Sequence, residues 1–248
     1  MTIEDAAKGV TARRAVAAFG LGLFALLGTA CSKSDAEQEN FSSDAETARI
    51  EHIVHDYVIN HPEILEEAIN HRLDRERAKL VNANRKEIET PFASAWAGAR
   101  DGDVTLVEFF DYACTFCRAN NADINRLLEE DPNLKVVWRE FPVLGETSVT
   151  AAEASLAAAK QGKFRQFHDA LYAAGPLSPE SVARVQKALG LAPVQSVEFT
   201  QEIDKNHDLA VRLRSQGTPT FVIGDKIFYG LQSYEALKAA IADVRKKA

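Results

Sequence analysis

Two cysteines, Cys114 and Cys117, follow directly on the apolar run Val104 to Phe110. Thiols at that spacing can close and reopen a disulfide, or hold a soft metal ion. If a helix begins at the first of them, its unpaired N–H groups and its dipole favour the Cys114 thiolate, and a thiolate is the attacking species in disulfide exchange. A structural zinc site needs four ligands, and no second pair or suitable histidine cluster stands nearby in sequence, so no metal centre is expected. His52, His55, His61 and His71 lack a cysteine or acid constellation around them. His168 lies among Phe164, Phe167, Leu171 and Tyr172, a helical stripe that reads as packing. Closing so short a loop restrains the unfolded chain little, which makes a purely structural disulfide a poor explanation. Redox use is the reading that the pair supports.

The elements needed to position these thiols can be read around them. Residues 105–110 and 134–141 read as strands, joined by a helix from near Cys114 to about Glu130; such a strand-helix-strand unit implies a parallel pair. Residues 220–223 and 226–229 read as two further strands. The intervening segment, about 143–216, has helical periodicity over 151–161, 164–173, 179–189 and 197–213, and a last helix over 233–247 starts at Ser233. The core, residues 99–248, is thus α/β with a helical insertion between its second and third strands, and its start is set by the glycines from Gly98 to Gly102. Ahead of it, residues 48–98 form a helical segment. Ile50, Ile53, Val54, Tyr57 and Val58 recur at helical steps, Asn60-His61-Pro62-Glu63 reads as a cap with a first-turn proline, and Ile64, Leu65, Ala68, Ile69 and Leu73 continue an apolar face. That stripe exceeds what two helices bury alone.

The N-terminus suggests the compartment. Arg13-Arg14 precede sixteen apolar residues, Ala15 to Ala30, too few for a membrane span of roughly 20 but suited to a signal peptide over residues 1–30. The twin arginine hints at export in a folded state, although Ala15-Val16-Ala17 does not complete the usual pattern. Cys31 follows at the boundary. Leu26-Leu27-Gly28-Thr29-Ala30-Cys31 resembles a bacterial lipobox, with Gly28 where leucine is expected, and the same small residues suit an ordinary signal peptidase. Residues 31–47 read as a flexible polar tether. Net charge is −7, and without residues 1–30 the remainder carries −8; that argues against a nucleic-acid partner.

The segment Glu108-Phe109-Phe110-Asp111-Tyr112-Ala113-Cys114-Thr115-Phe116-Cys117 resembles the active site of the DsbA-like thiol-disulfide oxidoreductases of the thioredoxin superfamily. Trp138-Arg139-Glu140-Phe141-Pro142 resembles that family's second strand and its exit, and Gly217-Thr218-Pro219-Thr220-Phe221 its cis-proline loop. The resemblance implies a thioredoxin-like fold with a helical insertion. It also implies catalytic roles: Cys114 as the more exposed attacking thiol, Cys117 as the buried resolving thiol, and Glu108 as a proton carrier beneath the pair. A carboxylate on so apolar a strand is costly unless neutral or partnered, which agrees with that role. Thr218 and a cis Pro219 are implied to pair with an extended substrate beside Cys114, with Thr115 and Phe116 at the same surface. No cofactor is implied beyond the redox-active Cys114–Cys117 disulfide.

Thr115-Phe116 departs from the Pro-His of the strongest oxidants and lacks their imidazole, so a less extreme thiolate than about 3.5 is expected. Thr218, where those oxidants commonly carry valine, is more typical of isomerases and of the ScsC-type branch. Residues 48–98 resemble the N-terminal oligomerisation segment of that branch. The resulting expectation is a periplasmic thiol-disulfide oxidoreductase, leaning to isomerase or broad exchanger, anchored through Cys31 if that residue is lipidated. Its partners would be exported cysteine-containing proteins, a membrane redox partner and, through residues 48–98, other copies of itself. The alternatives are a monomeric disulfide oxidase and, in another class, a surface lipoprotein that handles Cu(I) with the two thiols.

Overall fold

The computed structural model describes residues 44–191 and 196–247. The expected signal segment 1–30, Cys31 and most of the tether lie outside them. Among the described residues no helix is long and apolar enough to cross a membrane. The chain divides into two compact units, Met1–Tyr57 and Val58–Ala248.

The first unit contributes most of helix α1 (Asp44–Asn60), whose start places residues 44–47 in a helix rather than in the expected tether. α1 has no buried residue, and Ile50, Ile53, Val54 and Tyr57 are each more than half exposed.

The second unit begins with α2 (Glu63–Glu89). Pro62 itself holds the N-cap position, one place earlier than the first-turn position that the sequence suggested. The sheet has five strands: β1 (Trp96–Gly98), β2 (Val104–Phe110), β3 (Leu134–Glu140), β4 (Thr220–Ile223) and β5 (Lys226–Tyr229). Their order is β1-β3-β2-β4-β5. β2 and β3 run parallel through α3 (Thr115–Glu130), and the other three pairings are antiparallel. Helices α4 (Glu146–Lys160), α5 (Phe164–Ala173), α6 (Pro179–Ala188) and α7 (Val197–Arg212) form the insertion, and α8 (Tyr234–Arg245) closes the fold with Ser233 capping the Ala236 N–H at 3.2 Å.

β2 and β3 are buried on both faces, which is why they read as nearly unbroken apolar runs. Period-two alternation then sorts their residues. Leu106, Phe110, Val136 and Trp138 join the core shared with α3, α5 and α8, while Val107, Phe109 and Val137 join a second core with Val81, Ile88, Leu209 and Leu213. The C-terminal half of α2 therefore contributes Val81 and Ile88 to that second core. A boundary between residues 98 and 99 does not hold: β1 pairs with β3, and Gly98 ends a strand rather than starting a linker. Its φ of +86° and the 2.1 Å that would separate an added Cβ from the Leu134 carbonyl oxygen require glycine there. The sequence conceals this strand because three residues are too few to show alternation.

Arg139 ties α2 to the sheet. Buried at 1% exposure on β3, it donates Nε–H to the Ile88 carbonyl at 3.0 Å and Nη2–H to those of Thr90, at 2.6 Å, and Glu87. Its Nη1 reaches Asn206 at 2.8 Å and Glu202 at 3.3 Å on α7. Orphan carbonyls at a helix C-terminus and a buried cation thus satisfy each other. Arg139→Leu should cost about 3–5 kcal/mol, the range for breaking one side of a buried ion pair, measured by urea denaturation; a loss under about 1 kcal/mol would show that the guanidinium does not hold α2.

Candidate active site

Cys114 stands at the N-cap of α3, and its own N–H donates to the Asp111 carbonyl at 3.0 Å, closing the turn between β2 and the helix. Asp111, buried, fixes that turn with both carboxylate oxygens. Oδ1 accepts the Ala113 N–H at 2.8 Å, and Oδ2 accepts those of Val143 and Leu144 at 2.8 and 2.9 Å. The loop leaving β3 is thereby pinned beneath the cysteine turn. In the sequence Asp111 is one residue of the segment around the cysteines, but its clamp joins residues more than thirty apart and has no local signature.

The two thiols differ sharply. Cys114 is 7% exposed and Cys117, facing inward on α3 with Asn120, Ile124 and Leu127, is 0%; Cys114 is more accessible than its partner but itself largely covered. Cys114 ionises at about 5 instead of 9.0, above all because Cys117 hydrogen-bonds its thiolate, with further help from Thr218 and the backbone N–H groups of Cys117 and Phe116; partial burial opposes the shift. Burial pushes Cys117 far up, and its bond to Cys114 and the charge of Glu108 act in the same direction. One thiol is built to hold a negative charge and the other to keep its proton.

The cis Thr218-Pro219 bond lies beside them, with the Thr218 carbonyl 3.3 Å from Cys114 Sγ. Pro219 is buried and Thr218 half-buried, while Thr115 and Phe116 are exposed. Phe116, Thr218, Tyr229, Gly230 and Arg214 are among the residues lining a groove of about 430 Å³ that opens next to the cysteine pair. Asn120, buried one turn beyond Cys117, ties α3 to the segment that follows β5. Its side-chain amide donates to the Gln232 carbonyl at 2.6 Å and its oxygen accepts the Gln232 N–H at 3.2 Å, while the Gly230 N–H donates to the Pro219 carbonyl at 2.8 Å. A polar residue on the inward face of an amphipathic helix was the signal that could have found Asn120.

Glu108 is 2% exposed on β2, on the same face as Leu106 and Phe110, and its Oε1 has no hydrogen-bond partner among the described residues. Burial pushes its carboxyl well above the usual range; the Trp138 indole offsets part of that, and Cys114 adds to it. Glu140, two positions beyond Glu108's partner Trp138 in the register, is a second such acid. Both its oxygens are buried without a hydrogen-bond partner among the described residues, and burial, together with Asp111 and Glu108, raises it likewise. Around the acids lie Tyr112, whose hydroxyl meets Ser155 Oγ at 3.0 Å and His168 Nδ1 at 3.2 Å, and Tyr172. His168, completely buried, packs among the rings of Phe110, Trp138, Phe164 and Tyr172, and burial depresses its ionisation.

The low Cys114 value has consequences for stability. Between 9.0, where the unfolded thiol ionises, and about 5, the reduced fold binds fewer protons than the unfolded chain. Its stability therefore rises with pH across that window and the gain disappears as pH falls through about 5, an effect on the order of 2 kcal/mol at neutral pH. Urea titrations of reduced protein should show this rise and lose it in Cys114→Ser, and thiolate absorbance should titrate near 5; a midpoint near the ordinary thiol value would contradict the geometry.

Comparison with known proteins agrees with this arrangement. The first curated relatives are much longer: the Na(+)/H(+) antiporter NhaA 3 of Salinispora tropica is 32% identical over 153 residues, which are 58% of this chain but only 24% of that protein. Disulfide bond formation protein D of Bacillus subtilis is 26% identical over 163 residues, covering 58% of this chain and 73% of the relative. Among solved structures, a thioredoxin-like oxidoreductase from Silicibacter pomeroyi DSS-3 has 39% identity and a TM-score of 0.61, over 65% of this chain and 96% of that one. Proteus mirabilis ScsC, in a transitional conformation, has 27% identity and a TM-score of 0.64 over 84% of this chain and all of its own. Residues 46–78 match the copper resistance protein ScsC N-terminal domain. Residues 105–242, more than half of the chain, match the DSBA-like thioredoxin domain, and the chain belongs to that family.

Proposed function

We propose that the protein is a thiol-disulfide oxidoreductase of exported proteins, working outside the cytoplasm as an isomerase or broad exchanger. The observation that carries the reading is the opposed protonation of the two thiols, a stabilised Cys114 thiolate against a buried Cys117 thiol. In the reducing direction the Cys114 thiolate attacks a substrate disulfide, one sulfur–sulfur bond breaks as the mixed disulfide forms, and one substrate sulfur leaves as thiolate. Glu108 gives up its own proton to solvent, its carboxylate takes that of Cys117, and the Cys117 sulfur attacks Cys114, which breaks the mixed disulfide, releases the second substrate sulfur as thiolate and closes the enzyme disulfide. In the oxidising direction the substrate thiolate attacks Cys114, Cys117 leaves as thiolate and takes the proton held by Glu108. The electron pair moves between sulfurs only, so the reaction needs no further cofactor.

A thiolate near 5 lies between the values of about 3.5 and about 7 typical of a strong oxidant and of thioredoxin, which favours exchange in both directions. Thr218 and Pro219 would bind the substrate backbone, with Thr115 and Phe116 contacting its side chains. The apolar residues exposed on α1, with Leu65 and Ile69 on α2, each about half exposed, suit contact between copies. Assembly would present several Cys114 sites to one misfolded substrate. The apolar segment over residues 15–30 supports delivery to the periplasm, with Cys31 as the anchor if lipidated; a membrane redox partner would then reset the disulfide.

Glu108→Gln should slow the steps at Cys117 on the order of 10²-fold, the lower end of acid–base contributions, with an unchanged melting temperature; unaltered single-turnover kinetics would remove its role. For the isomerase reading, the decisive assay is recovery of a protein with scrambled disulfides. Wild type should recover it as an oligomer, and Ile53→Glu/Ile69→Glu should become monomeric and lose that activity while still exchanging single disulfides. Full recovery by a monomer would overturn the assembly argument.

A further inference from the structure

We infer that α2 sets the shape of the substrate groove from behind its lining, with Glu76 and Arg77 as positioning residues for peptide binding. This rests on the exchange reading, in which the groove beside Thr218 receives the substrate. Two residues lining that groove, Arg214 and Tyr229, come from opposite sides of the cis-proline loop. Both are held from α2. Glu76 Oε2 pairs with the Arg214 guanidinium at 3.5 Å, and the Arg77 guanidinium lies 5.7 Å from the centre of the Tyr229 ring. Adjacent residues of one helix therefore grip the two flanks of the groove.

The grip has a fixed base. Arg77 also donates to Asp74 Oδ1 at 3.2 Å, which orients its guanidinium, and the Tyr229 hydroxyl donates to the Leu213 carbonyl at 3.0 Å, next to Arg214. Farther along α2, Glu87 meets Arg212 at 2.7 Å, Arg85 donates to the Gly224 carbonyl at 3.2 Å, and Val81 and Ile88 are completely buried. Residues 76 and 77 thus extend from an anchored helix and are not free to drift. Arg214, 66% exposed, keeps most of its guanidinium open to a substrate. An extended peptide in the groove would touch an aromatic face and a cation whose positions α2 decides. The helix that leaves the residues matched to the ScsC N-terminal domain is the same helix that shapes the site.

The test uses the full chain and two substrates. An extended disulfide-bearing peptide fills the groove, whereas Ellman's reagent, a small aromatic disulfide, reaches Cys114 without doing so. Glu76→Gln/Arg77→Gln, which leaves net charge unchanged, should raise KM for the peptide about three- to thirtyfold, the range for losing one exposed cation–π contact and one surface ion pair. Its kcat, its rate with Ellman's reagent, the Cys114 titration and the solution mass should stay as in wild type. Arg77→Lys, which keeps a cation over the ring, should recover part of the affinity, and Arg75→Ala on the exposed side of α2 should change nothing. An unaltered KM would overturn the inference, as would equal slowing with both substrates. Failure of the wild type to react with either disulfide would overturn the exchange reading and this inference together.

Discussion

A single proton shared unequally between two sulfurs governs this structure. Cys114 carries a stable negative charge only while Cys117 keeps its hydrogen and points it outward, and Cys117 keeps it because burial and the nearby Glu108 make its own thiolate unfavourable. That asymmetry needs a helix that starts at one cysteine and sinks into the core by the next. The Asp111 clamp fixes where α3 starts, the inward face of Cys117, Asn120, Ile124 and Leu127 fixes its depth, and the cis-proline loop closes the remaining side. Loosening any of the three would let solvent reach Cys117 and reduce the difference between the thiols.

The strand Trp138-Arg139-Glu140 illustrates how the same burial is handled in opposite ways. Arg139 points to the face shared with α2 and α7 and is saturated with carbonyl and side-chain acceptors. Glu140, its neighbour, points to the other face and has no hydrogen-bond partner for either oxygen among the described residues, as Glu108 has none for one of its own. Unpaired buried carboxylates are among the most expensive groups a core can hold. The cost is avoided by keeping them neutral, so each becomes a stored proton rather than a charge.

α2 belongs to two settings. Leu65 and Ile69 near its start are exposed, Val81 and Ile88 near its end are core, and the passage between them occurs at Glu76 and Arg77, beside the groove. At about 1.5 Å rise per residue, the one helix spans the distance from its exposed start to the core. In the proposed reading, binding between copies and binding of substrate would share this structural element.

Much of the protein was legible in its sequence. The spacing of Cys114 and Cys117, the apolar runs of β2 and β3, the periodicity of the insertion helices and the Thr218-Pro219 loop are local signals, because a residue's neighbours within one or two turns determine them. The sequence also marked Glu108 as out of place among apolar residues. What it could not show is which faces distant elements would cover. The three-residue β1, the allegiance of α2 to the sheet, the orphaned Glu140, the Asn120 clamp and the grip of Glu76 and Arg77 on the groove all depend on segments far apart in the chain. Periodicity tells that a face is apolar; only packing decides what lies against it, and here that packing sets the charge of the thiols and the shape of the site.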